Sequence, residues 1–227
     1  MPRKSRVVIP HHFHHVSQYG NYNQAVFDGH EDVVFYCEAI NRYAVSYGLQ
    51  IYAFCLMNTH VHFLVVPPEP GSLARTFNTA HMQYSQYRNR KHKIRGHLWQ
   101  GRFLSCVIEQ TFAERTMRYI ERNPVRSGIV AYPWLYKWSS ARAHTDKDTS
   151  PIHLHHLSFN QYSGEWKNFL MDEDEEICRE LRIKTRRGLA IGSDAYIRQL
   201  EEYCKRSFVV LNPGRPRKKQ EYQISAS

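Results

Sequence analysis

Met57-Asn58-Thr59-His60-Val61-His62-Phe63 lies inside an apolar run from Ile51 to Val66. Read as a strand, it sends alternate side chains to opposite faces, so His60 and His62 leave one face side by side while Val61 turns into the other layer. Two imidazoles aimed at one point begin a metal site, and equally they fit an ordinary polar sheet face, because two ligands do not close a coordination sphere. The run divides into two strands, Gln50 to Leu56 and His60 to Val66, and Pro67-Pro68 stops the second.

Working outward, Gly48 ends a helix from about Glu31 to Tyr47, whose apolar positions Val34, Phe35, Ile40, Tyr43 and Ala44 recur at helical spacing. Ahead of it, Gln18 to Asn23 reads as a turn and Arg6 to Val16 as a first strand. The tetrad His11, His12, His14, His15 in that strand invites a metal reading, and it fits the DNA-facing side of a sheet as well. Downstream, Leu73, Phe77, Ala80, Tyr84 and Tyr87 mark a second helix from Ser72 to about Lys91, and Arg102 to Ile108 reads as a fourth strand. A third helix opens at Thr111, places Phe112, Thr116 and Ile120 on one face, and ends near Asn123 because Pro124 does not continue it. The order β-α-β-β-α-β plus a helix predicts an α+β fold: a ferredoxin-like antiparallel four-stranded sheet with two helices on one face and the histidines on the other.

Two regions are expected, a first domain over 1–145 and an extension over 146–227. Val125 to His144 carries aromatic residues that fold back onto the sheet, and Asp146 to Pro151 reads as a linker. In the extension, the acidic run Asp172 to Glu176 reads as a solvated helix start, with helical patterns over Glu175 to Thr185 and Ser193 to Tyr203. The end, Pro213-Gly214-Arg215-Pro216-Arg217-Lys218-Lys219, suits either arginines laid into a narrow minor groove or a basic tail without sequence preference.

A net charge of +10 over 227 residues favours a polyanionic partner, nucleic acid first. No apolar run reaches the ~20 residues that span a bilayer, so no membrane partner is expected and the chain is placed in the cytoplasm, associated with the nucleoid. The five scattered cysteines suggest buried thiols. Arg88, Arg90, Lys91, Lys93, Arg95 and Arg102 read as a phosphate track with Trp99 as a stacking platform, and the plain alternative is a solvated helix end and loop.

The third helix offers Tyr119 and Asn123 at i, i+4, able to aim a phenol and an amide oxygen at one site, with Arg115 and Arg122 flanking as phosphate contacts. Tyr119 as a core tyrosine and Asn123 as a helix cap are the plain alternatives. Taken with His60-Val61-His62, the blocks Tyr52 to Met57, Leu98 to Phe103, Arg118 to Arg126 and Trp138-Ser139-Ser140 resemble the HUH single-tyrosine transposases of the insertion-sequence type, most of all the REP-associated tyrosine transposases of bacteria.

That resemblance implies the following chemistry. His60, His62 and Asn123 hold Mg²⁺ or Mn²⁺, and Tyr119 is the nucleophile that forms a 5′-phosphotyrosine. The substrate is single-stranded or hairpin DNA, as of an inverted repeat. Relatives act as monomers or as homodimers. Arg215 and Arg217 resemble the ends of many members, and the rival readings are a domesticated hairpin-binding protein without catalysis and a metal-dependent hydrolase.

Overall fold

Val16, Phe54, Val61, Phe63 and Val65 belong to one apolar cluster, and Phe13, Ala53, Cys55, Leu64 and Val66 to another. A sheet with two apolar faces needs a cover on each. The computed structural model describes residues 6–146, 149–157 and 163–209 and shows both covers.

The strands are β1 Phe13–Tyr19, β2 Gln50–Leu56, β3 His60–Val66, β4 Leu104–Ile108 and β5 Ala190–Ile191. The helices are α1 His30–Ser46, α2 Ser72–His92, α3 Ala113–Glu121, α4 Asn123–Arg126, α5 Ala141–Asp146, α6 Ser163–Phe169, α7 Glu175–Arg187 and α8 Asp194–Cys204. The sheet order is β2-β3-β1-β4-β5, antiparallel through β4, with β5 parallel to β4.

The architecture is mixed α and β as expected, but the sheet has five strands, not four. The fifth comes from the extension: Val107 N–H donates to Leu189 O and Glu109 N–H to Ile191 O, which occupies an edge that β4 would otherwise leave open.

The first strand begins at Phe13 rather than Arg6 and runs on through Tyr19. Pro10 lacks a backbone donor and His11 sits at φ 61, so the chain turns there. Gln18, read as the start of the turn, and Ser17 before it are only 2% exposed, because the ladder with β3 takes both. The turn follows at Gly20, where a Cβ would lie 2.4 Å from the Gln24 carbonyl oxygen.

Helices α1 and α2 cover one face with Tyr36, Ile40, Phe77 and Tyr84. Trp99 joins this core, 8% exposed, with Nε1–H donating to the His81 carbonyl; the expected stacking platform is a core residue. The opposite face is roofed by α3 and α7, through Met117, Ile120, Ile177 and Leu181, with Trp166 and Leu170 of the α6 region.

The aromatic segment folds back along β2 as expected: Leu56 N–H donates to Trp138 O and Ser140 N–H to Phe54 O. The residues just beyond the expected linker join the same seam. His155 N–H donates to Ile51 O, and Ile152 is fully buried. No helix among the described residues is long and apolar enough to cross a membrane.

Candidate active site

Strand β3 presents His60 and His62 on the face beneath α3, opposite Tyr19 and Ser17 of β1. Each ring is held through its Nδ1, His60 by Thr59 Oγ1 at 3.0 Å and His62 by His15 Nε2 at 2.9 Å. Neither Nε2 makes a hydrogen bond to a described residue. Tyr19 stacks on His60 with centroids 5.2 Å apart, and the two histidine rings stand perpendicular at 5.0 Å.

His15 completes a row that the sequence left outside the site. It stacks on His62 at 5.1 Å, and its Nδ1 meets Thr185 Oγ1 of α7 at 2.7 Å. The first strand, read as ending at Val16, gave no register; once β1 pairs Ser17 with His62, alternation puts His15 on the same face. The rest of the tetrad does other work: His14 accepts from Ile9 N–H, and His12 packs on Tyr196.

Helix α3 lies across β2 and β3 and lowers Tyr119 onto this row. Its ring meets His15 at 5.6 Å and His62 at 5.7 Å, edge-on to both. Tyr119 is 5% exposed, and its hydroxyl bonds no described residue. Burial pushes its pKa up to about 12, nearby Tyr19 adds to the rise, and Arg126 and Arg182 oppose it. Burial also drives the histidines down, His60 to about 4, His15 to about 3 and His62 well below the usual value, so all three are neutral imidazoles near pH 7.

Asn123 opens α4 one turn beyond Tyr119. Its Nδ2 donates to the Tyr119 and Ile120 carbonyls, both at 3.0 Å, and its Oδ1 accepts from Arg126 Nη1 at 3.2 Å. The amide therefore caps the helix end, which was the plain reading of this residue. Arg126 lies over the Tyr119 ring, 4.6 Å from the centroid, and donates to Glu173 Oε1 at 2.7 Å.

A cation fits the two free Nε2 atoms by donor chemistry. Among the described residues no group of three or more His, Cys, Asp or Glu side chains is arranged to hold a metal ion, and the Asn123 oxygen is engaged by Arg126.

The other candidates separate. Arg115 and Arg122 are not open phosphate contacts, because the acidic run is not a solvated helix start. Arg115 pairs with Asp174 at 2.6 Å and Glu176 at 3.2 Å, Arg118 with Asp174 at 2.8 Å, and Arg122 with Glu173 at 3.3 Å. Four arginines of one helical stripe attract carboxylates from the chain that crosses them, a pairing visible only once α7 is placed on α3.

In the expected track, Arg88 pairs with Asp28, Lys91 with Asp32 at 2.6 Å, and Arg90 with the Gln86 carbonyl. Lys93, Arg95 and Arg102 are exposed. Arg215 and Arg217 lie outside the described residues.

A five-stranded mixed sheet with a histidine row under a helix-borne tyrosine defines the class of fold and site. Comparison with known families then supplies the affiliation: residues 8–123, just over half of the chain and inclusive of His60, His62, Tyr119 and Asn123, match the IS200-like transposases. The chain belongs to that family.

Among solved structures it is similar to a REP-associated tyrosine transposase bound to a REP hairpin, with TM-score 0.55, 17% identity, and coverage of 70% of this chain and 94% of that one. That identity speaks for the fold. A putative transposase from Deinococcus radiodurans (TM-score 0.37, 19% identity, 53% and 97% coverage) and a tRNA(His) guanylyltransferase from Saccharomyces cerevisiae (0.39, 11%, 82% and 82%) are looser likenesses. No curated protein matches by sequence.

Proposed function

We propose that this transposase cuts and rejoins single-stranded or hairpin DNA of the REP type through a covalent tyrosine intermediate. The observation that carries the reading is Tyr119, held edge-on to His15 and His62 with its hydroxyl bonded to no described residue. Tyr119 Oη attacks the scissile phosphorus as its proton passes to solvent. The bond from phosphorus to the 3′-oxygen breaks, and that oxygen takes up a proton. A 5′-phosphotyrosine and a free 3′-hydroxyl remain, and the reverse attack by another 3′-hydroxyl rejoins a strand.

His60, His62 and the Asn123 oxygen would hold a Mg²⁺ or Mn²⁺ ion. When bound, it supplies charge for the oxygens of the scissile phosphate. The chain's own residues do the remainder: His15 fixes the ring of His62, Thr185 fixes His15, and Arg126 lends positive field that offsets part of the rise burial causes in the Tyr119 pKa.

A second reading, a hairpin-binding protein that does not cut, draws on the depth of Tyr119 and on the guanidinium at the Asn123 oxygen. Incubation with labelled hairpin DNA and Mn²⁺ separates the two. The transposase reading expects a protein–DNA adduct that survives denaturation and vanishes in Tyr119→Phe; hairpin binding with no adduct on any hairpin supports the second.

A further inference from the structure

The hydrogen bond that holds His62 does not end at His15. His62 Nδ1 meets His15 Nε2 at 2.9 Å, His15 Nδ1 meets Thr185 Oγ1 at 2.7 Å, and Thr185 Oγ1 meets Cys106 Sγ at 3.1 Å. The row runs from β3 through β1 to α7 and closes on β4. None of its four residues is more than 2% exposed. The two imidazole rings are parallel to within 7°, which suits an N–H of one ring aimed into the in-plane lone pair of the other.

Sealed from water, these groups must order their hydrogens among themselves. Both histidines are neutral, and burial holds the Cys106 thiol up at about 12, so no link carries a charge. A neutral imidazole has one N–H and one bare nitrogen, so His15 couples the bonds on its two sides and two orders result. In the first, Cys106 S–H donates to Thr185, Thr185 O–H to His15 Nδ1, and His15 Nε2–H to His62 Nδ1. The hydrogen of His62 then sits on Nε2. In the second each bond is reversed: His62 Nδ1–H donates to His15 Nε2, His15 Nδ1–H to Thr185 Oγ1, and the Thr185 hydroxyl to the Cys106 sulfur.

Only the second order leaves His62 Nε2 bare. The first puts a ring N–H there with no acceptor among the described residues, in a site to which Arg126 already adds positive charge. A buried N–H without an acceptor is the rarer defect. His60 differs, because its Nδ1 rests on the adjacent and only partly buried Thr59, where water can take the same place.

We infer that Thr185 is a positioning residue for the cation site: acting through His15, its hydroxyl fixes the hydrogen of His62 on Nδ1 and keeps Nε2 free for a divalent ion. The inference rests on the proposed transposase reading for the ion, and it gives the C-terminal extension a part in metal binding through one side chain.

The test uses the full-length chain without DNA. Thr185→Val keeps the shape and removes the hydroxyl, so His15 Nδ1–H loses its acceptor and the first order takes over. The Mn²⁺ dissociation constant, read by electron paramagnetic resonance, should rise about 10–100-fold. Thr185→Ser should bind Mn²⁺ as the wild type does. With no metal added, ¹⁵N–¹H spectra of the imidazoles should place the hydrogens of His15 and His62 on Nδ1 in the wild type and in Thr185→Ser, and on Nε2 in Thr185→Val.

Equal Mn²⁺ affinity in Thr185→Val, an equal loss in Thr185→Ser, or a loss while the His62 hydrogen stays on Nδ1 overturns the inference. So does a wild-type chain that binds no Mn²⁺ or carries the His62 hydrogen on Nε2, and that wild-type spectrum decides even where Thr185→Val fails to fold. Failure of the transposase reading is distinct: it is Mn²⁺ bound through this relay by a chain that forms no adduct with any hairpin.

Discussion

Glu121 shows how a single side chain fixes the helix that carries Tyr119. Two residues beyond Tyr119, it is fully buried and accepts from Ser140 Oγ at 2.5 Å, His144 Nδ1 at 2.6 Å and Trp166 Nε1 at 2.9 Å. One carboxylate thereby ties α3 to the β2 seam, to α5 and to α6. Glu121→Ala removes the carboxylate that three buried groups share, leaving Ser140 Oγ its longer bond to the Phe54 carbonyl, and at ~1–3 kcal/mol for each unmet group the loss should reach about 3 kcal/mol. Urea unfolding midpoints of the two proteins measure it; a loss under about 1 kcal/mol would mean the network is not what holds the helix. The neighbouring Tyr119 depends on that rigidity, because its two ring contacts with His15 and His62 are its fix on the histidine row.

Among elements, the strap from Glu173 through α7 was the least legible part. Its acidic run has the composition of a solvated helix start, and Asp174 does cap α7 by accepting from Ile177 N–H. What the sequence withholds is the partner: Arg115, Arg118, Arg122 and Arg126 are remote in the chain, and no local pattern pairs them with Glu173 and Asp174. Period-2 and period-3.6 patterns, by contrast, exposed β2, β3, α1 and α2 to within a few residues, since each buries one face against a neighbour close in sequence. β5 escaped for the opposite reason, being two residues long and made by pairing alone.

The strap also titrates. The Arg115 guanidinium bonded to Asp174 lowers its carboxyl to about 2, below the ordinary 3.8. A depressed folded value means the contribution is complete above the ordinary value and is lost as pH falls from about 4 towards 2. Wild-type stability should therefore drop over that window more steeply than that of Asp174→Asn; parallel urea midpoints at pH 5, 4 and 3 would contradict the pairing.

At the scale of the whole molecule, the boundary near residue 146 divides the chain in sequence more than in space. Met117 and Ile120 share one apolar cluster with Trp166, Leu170, Ile177 and Leu181, and β5 extends the sheet that the first part builds. The chain should unfold in one calorimetric transition, with calorimetric and van't Hoff enthalpies in agreement; two separated transitions would show the extension to be independent. The same union gives the extension its place in the site, through Thr185 on His15 and Glu173 on Arg126. The histidine pair stood out by residue type and spacing and Tyr119 by the family resemblance, whereas His15, Arg126 and Thr185 join them only through strand register and helix placement.

The claim at the centre is that Tyr119 takes the DNA strand covalently. Mass spectrometry of wild-type protein trapped with hairpin DNA and Mn²⁺, then digested with nuclease and trypsin, tests it directly. The peptide from Tyr119 to Arg122 should carry a nucleotide phosphate on its tyrosine. Cut DNA with that peptide unmodified, or with the nucleotide on another residue, would contradict the account.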